Sequence, residues 1–247
     1  MMRRLVALLA LVALPALSCD GGRPETEPTV VPTPIDPATM GAVRGKVLFN
    51  GTPPKAGKIS MASECAAFHE TPPFNEEVLV KDGRLKNVFI YVKTGLEELK
   101  FAWPSTPLRI ANTKCVYTPR VAGVQVNQPV EFANEDLTVH NIHAFDSSSS
   151  LFNFSIQGKG SRTHTQRSPL YGARLKCDIH PWMLGWIFAL PHPYFQVTGA
   201  DGAFEIKGLP PGDYTIEAWH EKYCTQSRKA KLDPKGSSEV EFSFGEK

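Results

Sequence analysis

The stretch Cys177-Asp178-Ile179-His180-Pro181-Trp182-Met183 sets a thiol, an imidazole and a thioether on one short loop, spaced Cys-x2-His-x2-Met. With a second His, these are the donors of a copper site that moves single electrons: two His, one Cys and a distant Met. Soft sulfur favours Cu(I), while imidazole suits both Cu(I) and Cu(II). The thiol binds as thiolate, so metal uptake releases its proton. The second imidazole has to come from an earlier strand. Asn134-Glu135-Asp136-Leu137-Thr138-Val139-His140-Asn141 offers it.

The flanks agree with a loop between strands. Residues 171–176 read as the strand entering it, and the apolar run Gly185-Trp186-Ile187-Phe188-Ala189-Leu190 as the strand leaving it. Residues 121–134 read as two strands with a turn near Asn127-Gln128-Pro129. His140 then falls beside a strand end, at the same pole as the Cys loop.

Residues 109–190 resemble the cupredoxin family, of the plastocyanin and amicyanin type. The resemblance rests on Asn134-x-Asp136-x3-His140-Asn141 and on Cys177-x2-His180-x2-Met183, with the short loop of amicyanin-like proteins. It implies a Greek-key β-sandwich with His140, Cys177, His180 and Met183 as ligands, and Asn141 bracing the Cys loop. His143 is the rival for the upstream position. On an extended segment residues three apart point to opposite faces, so only one of the two reaches the metal. His140 is the expected ligand, having the Asn neighbour and the family spacing. His143 and Trp182 are then expected beside the site. The solvent-facing edge of His180 is the expected electron entry, with Pro181 and Trp182 as an apolar rim. Trp182 and Trp186 are expected to screen the metal from water.

A lone Cys, His or Met is usually core filler. Three donor types at matching spacing, plus an upstream His-Asn, outweigh that reading. Zinc is disfavoured because Met is a poor zinc ligand and no second nearby Cys or His completes a tetrahedron. A dinuclear copper loop needs another Cys between Cys177 and His180, where only Asp178 and Ile179 stand. There is no Gly-x-Ser-x-Gly, no phosphate loop, no His-Glu-x2-His and no His-x-His, so a carrier is expected and not an enzyme. His69, His192 and His220 read as structural or exposed.

The chain has 247 residues, 42% apolar and 21% charged, with a formal charge of +2. That describes a globular protein, with no basic cluster that would point to nucleic acid. Residues 1–18 read as an export leader, with Arg3-Arg4 before a short apolar run. Ala16-Leu17-Ser18-Cys19 resembles a bacterial lipoprotein box. It implies a lipid on Cys19 and a periplasmic, membrane-anchored protein. The run is too short for a permanent span. Residues 19–41, with Pro24, Pro28, Pro32, Pro34 and Pro37, read as a semi-extended tether. Export permits a disulfide. Cys65 with Cys115 is the expected pair, both lying before the copper motifs in polar surroundings. Cys224 is left over, in a turn where related modules tend to have Gly.

The C-terminal part reads differently. Residues 195–206 suggest strand, Asp201-Gly202 turn, strand. Leu209-Pro210-Pro211-Gly212-x-Tyr214 adds a turn and another strand, with short strands at 229–232 and 240–244. This resembles a carboxypeptidase regulatory-like β-sandwich, an accessory module without catalysis. Its usual opening strand and Gly/Pro turn appear far upstream, at 43–54, with 88–92 as the next strand. The expected architecture is therefore all-β. Accessory strands occupy 42–104, the cupredoxin 105–191 and the rest of the accessory sandwich 192–247, so that the cupredoxin interrupts it. Two sandwiches in series is the alternative. Short helices are expected near 63–69 or 96–99. The functional expectation is a copper protein passing single electrons to a c-type cytochrome or membrane oxidoreductase. The alternatives are a copper chaperone or storage protein, and a non-catalytic glycan- or protein-binding module.

Overall fold

The computed structural model describes residues 30–245. The leader, Cys19 and the first part of the Pro-rich tether lie outside the described residues. The first portion carries β1 (Gly41–Asn50), α1 (Ser63–Ala66), β2 (Val80–Lys81), β3 (Arg84–Leu85) and β4 (Phe89–Thr94). The middle carries β5 (Leu108–Thr113), β6 (Val116–Thr118), β7 (Val121–Gln125), β8 (Pro129–Asn134) and β9 (His140–Asp146). It continues with β10 (Ser149–Ile156), β11 (Gly160–Thr165), β12 (Leu170–Lys176) and β13 (Leu184–Leu190). The last portion carries β14 (Phe195–Val197), β15 (Ala203–Leu209), β16 (Gly212–His220), β17 (Cys224–Leu232) and β18 (Ser237–Gly245).

These strands form four sheets. One has the order β15-β1-β3-β2, with β18 lying parallel to β1. A second has the order β14-β4-β16-β17. The middle portion makes the other two, β10-β9-β12-β13-β7 and β11-β8-β5-β6. Strands before Thr94 and after Phe195 thus share sheets, and β5 to β13 pair only among themselves. The fold is all-β, and α1 is one short turn of helix.

Two strands explain how the sheets stack. A half-buried strand alternates apolar and polar residues, because successive side chains take opposite faces. β4 instead buries Phe89, Ile90, Tyr91 and Val92 in succession. Ile90 and Val92 join one core with Val43, Val47, Leu209, Ile216 and Phe242. Phe89 and Tyr91 face the other way, into a cluster with Val121, Phe188 and Leu190. β13 mirrors this. Ile187 and Ala189 belong to the core of the middle sandwich, Phe188 and Leu190 to the shared cluster. The sheets holding β4 and β13 are therefore inner layers, each buried on both sides.

The seam is close. The Phe89 and Phe188 rings stack at 3.8 Å between centroids. Gly123 on β7 permits the approach, since a Cβ there would lie 2.5 Å from the Phe89 ring and 2.7 Å from the Phe195 ring. At its edge Arg120 Nε and Nη2 donate to the two carboxylate oxygens of Glu221 at 2.6 and 2.8 Å. Trp186 Nε1 donates to the same carboxylate at 3.1 Å.

One expectation is refined here and one is corrected. Residues 195–206 are strand, turn and strand as expected, with the Gly202 N–H bonded to the Gly199 carbonyl, but the two strands lie in different sheets: β14 pairs with β4 and β15 with β1. Thr198 causes the split. Its hydroxyl accepts the Val88 N–H and donates to the Leu85 carbonyl, holding the chain at the crossing between sheets. The tight Asp-Gly hairpin lies elsewhere, at Asp82-Gly83 between β2 and β3, both at positive φ as that turn requires. Trp186 is the second. It packs on Trp219 across the seam, on the face of β13 away from the Cys loop core. Cys224 is exposed at φ 60°, a conformation glycine tolerates best.

Glu221→Ala leaves a buried guanidinium without its partner and is expected to cost roughly 3 kcal/mol, read from the urea midpoint. His192 and His220 are 6% and 0% exposed, and burial pushes both down to about 4 from an ordinary 6.5. Their folded-state values lie below the unfolded ones. Stability is therefore complete above about pH 6.5 and falls as the unfolded chain takes up protons the folded one refuses. The loss ends near pH 4, on the order of 3 kcal/mol per imidazole. His220→Phe should flatten the decline in urea midpoint between pH 7 and 4.5, and equal slopes in both proteins would contradict it.

Candidate metal centre

Sheet register brings the two sequence stretches together. β9 and β12 are antiparallel neighbours with Lys176 opposite His143. The start of β9, His140-Asn141, therefore lies at the end of β12 where Cys177 follows. β12 and β13 pair through Lys176 and Leu184, so residues 177–183 are the loop closing that pair. The loop is tightened by Cys177 N–H to the Met183 carbonyl (3.3 Å) and Met183 N–H to the His180 carbonyl (2.9 Å).

At its centre His140 Nδ1 and His180 Nδ1 face each other at 3.0 Å, and Cys177 Sγ lies 3.7 Å from His180 Nδ1. Donor atoms of the three all lie within 4.8 Å of one another. His140 is 0% exposed, and Cys177, His180 and Met183 are 1% exposed. Cys177 and Met183 belong to one apolar core with Phe132, Ile142, Leu175 and Ile187.

Asp136 orients His140. Its carboxylate lies 2.9 Å from His140 Nε2 and accepts the backbone N–H groups of Lys114 (2.6 Å) and Cys115 (2.8 Å). The turn that delivers it is stitched by Asn134, whose Oδ1 accepts the Asp136 N–H and whose Nδ2 donates to the Thr138 carbonyl. An imidazole that gives its Nε2–H to a carboxylate leaves Nδ1 as a bare lone pair. Burial holds the His140 pKa below its usual value, against the opposing pull of the Asp136 hydrogen bond.

Asn141 braces the loop. Its Oδ1 accepts the Asp178 N–H at 2.7 Å and the Cys177 thiol at 3.2 Å, and its Nδ2 donates to Asp178 Oδ2 at 2.8 Å. His143 stands apart from the cluster. Its Nδ1 lies 2.8 Å from Asp178 Oδ2 and its Nε2 3.0 Å from Ser150 Oγ. Burial pulls the Asp178 carboxyl upward, but hydrogen bonds from Lys176, His143, Asn141 and Asn153 hold it far below the usual carboxylate range.

The donor set fits a metal ion. Nitrogens 3.0 Å apart and a sulfur at 3.7 Å are separations one ion spans with bonds of about 2.0 Å to nitrogen and 2.3 Å to sulfur. Asp136 and Cys115 also lie near His140, but Cys115 is bonded to Cys65 and has no thiolate to offer.

The expected open edge at His180 is corrected. Residues 57–75 fold over it, Phe68 and Met61 pack on the core containing Cys177, and Cys65 is joined to Cys115. Trp182 is partly buried. Its ring lies 5.2 Å from His180, and its Nε1 donates to the Cys115 carbonyl at 3.1 Å. Two functional side chains have no role assigned from sequence: Asp136, and Glu64, whose Oε1 lies 3.7 Å from His180 Nε2. Asp136 is detectable as a carboxylate four residues before His140. Glu64 has no local signal.

No protein-family model matches this chain, and no curated protein matches it. Solved structures do resemble parts of it. A Cu-containing nitrite reductase (NirK) from Thermus scotoductus SA-01 aligns at 22% identity, over 42% of this chain and 25% of its own, with a TM-score of 0.33. A purple cupredoxin from Nitrosopumilus maritimus aligns at 21% identity, over 33% and 98%, with a TM-score of 0.30. A reduced mutant of amicyanin aligns at 16% identity, over 40% and 97%, with a TM-score of 0.32. The match thus spans a quarter of the reductase.

Asp136→Ala strands two backbone donors and the His140 Nε2–H. It is expected to lower stability by roughly 3 kcal/mol, measured by urea unfolding.

Proposed function

We propose that this chain binds one copper ion through His140, Cys177 and His180, with Met183 as a weaker fourth ligand, and carries single electrons. One observation carries the reading: two buried imidazoles present Nδ1 to each other at 3.0 Å beside a cysteine sulfur. Asp136 keeps His140 in the Nε2–H form, so its Nδ1 is a lone pair free to meet a cation. Bound there, copper supplies a one-electron couple between Cu(I) and Cu(II). The protein's part is to hold donors still. Asn141 fixes the Cys loop, Asp136 fixes His140, and the core around Met183 keeps water from the thiolate. The sulfur and thioether favour copper over zinc.

The wider setting is part of the proposal. The Cys65–Cys115 bond suits an oxidising compartment, which supports export to the periplasm. Anchoring through a lipid on Cys19 and a c-type cytochrome or membrane oxidoreductase as partner complete it. The sandwich built from both ends of the chain is read as a carboxypeptidase regulatory-like support without catalysis, interrupted by the metal-binding unit.

The test is the visible and paramagnetic-resonance spectrum of the Cu(II)-loaded protein. Strong visible absorption from sulfur-to-copper charge transfer is expected. Cys177→Ser and His140→Ala should abolish it, and His143→Ala should keep it, because both His143 nitrogens are engaged elsewhere. A colourless protein that binds and releases Cu(I) without reversible voltammetry would favour copper storage or delivery instead.

A further inference from the structure

Residues 57–75 form a closed loop that adds no strand to the four sheets and packs Met61, Cys65 and Phe68 on the core containing Cys177. Its neck is tied by Ile59 N–H to the Pro73 carbonyl and Asn75 N–H to the Gly57 carbonyl, both at 2.8 Å. Its far side is fastened twice to one turn. Cys65 on α1 is bonded to Cys115, and the His69 Nε2 lies 2.9 Å from the Lys114 carbonyl. That turn is itself held by Asp136. The loop brings Glu64 against the His180 ring, which is 1% exposed.

Beneath it His180 Nε2 is buried and has no hydrogen-bond partner. When Nδ1 is given to a metal ion the imidazole proton sits on Nε2, and a buried N–H without an acceptor costs free energy that a structure normally recovers. The nearest carboxylate oxygen is Glu64 Oε1, at 3.7 Å, on the same helical turn as Cys65. His140 already has its counterpart in Asp136. Glu64 stands where His180 would have the same.

We infer that residues 57–75 are a disulfide-fastened cap over His180, and that Glu64 is the positioning residue taking the His180 Nε2–H when a metal is bound. This rests on the metal reading above. It adds that the cap seals His180 from macromolecules and replaces solvent there with a protein anion. A carboxylate behind a ligating imidazole raises its donor strength and favours the more highly charged ion. Half-exposed Glu64 is partly screened, so its influence weakens with salt.

Two measurements test it. The first needs no metal. In a Cys224→Ser background Cys177 is the one unpaired thiol among the described residues. Its reaction with a thiol-reactive disulfide reagent should be slow. It should quicken at least tenfold when Cys65→Ser and Cys115→Ser are added, in a protein whose circular dichroism stays native. An unchanged rate overturns the cap. The second uses Cu(II). Glu64→Gln, on an exposed turn, should keep the fold and lose roughly tenfold in Cu(II) affinity. Its reduction potential should move upward, by less at high salt, with Glu64→Asp recovering part of both. Unchanged affinity and potential overturn the role of Glu64. A parent protein that takes up no Cu(II) overturns the metal reading and Glu64 with it, and the thiol rates still decide the cap.

Discussion

A single carboxylate, Asp136, organises the end of this molecule where His140, Cys177 and His180 meet. It meets His140 Nε2 and two backbone N–H groups of the turn at Lys114 and Cys115. Those two residues sit at φ 53° and 58°, a conformation non-glycine residues avoid without outside support. The turn in turn carries the disulfide to α1 and the Cys115 carbonyl that holds Trp182. The His140 imidazole, a strained turn, a cross-link and an aromatic neighbour all trace to one side chain. A bridging anion of this kind is cheap to bury because it is fully hydrogen-bonded.

The remaining rigidity comes from the layered sheets. β9, β12 and β13 bring His140, Cys177, His180 and Met183 to one end, and these strands cannot slide without turning apolar faces outward. β13 is gripped from both sides, by Ile187 toward the metal end and by Phe188 toward Phe89. The second sandwich therefore does more than space the first from other structures. It completes the burial of a strand leading out of the ligand loop.

Much of this is legible in the residues. Cys-x2-His-x2-Met is local, so its clustering needs only a short loop. His140 is reachable through spacing and its Asn neighbour. The uninterrupted apolar runs at 88–92 and 185–190 signal buried strands. They do not say which face meets which core, and the expectation for Trp186 fails for that reason. Asp201-Gly202 marks the turn between β14 and β15, but hydrogen bonds from Thr198 to residues far back in the chain decide that the two strands enter different sheets. Glu64 over His180 and Arg120 on Glu221 join residues far apart in the chain, where no periodic pattern reaches.

The parallel pairing of β1 with β18 sets an order of assembly. Among the described strands β1 meets β3 and β15 earlier in synthesis, but it gains its parallel neighbour only when β18 is made, from Ala42 beside Ser237 to Asn50 beside Gly245. All strands of the central unit have been synthesised once Leu190 has emerged. Until β18 is made, the core that Ile90 and Val92 join lacks Val240, Phe242 and Phe244, and apolar surface left open in this way offers a hold for chaperones and proteases. A chain holding β5 to β13 but not β18 would have His140, Cys177, His180 and Met183 in place while β1 still lacked its parallel neighbour, so the cluster and its supporting sheet are completed at different times.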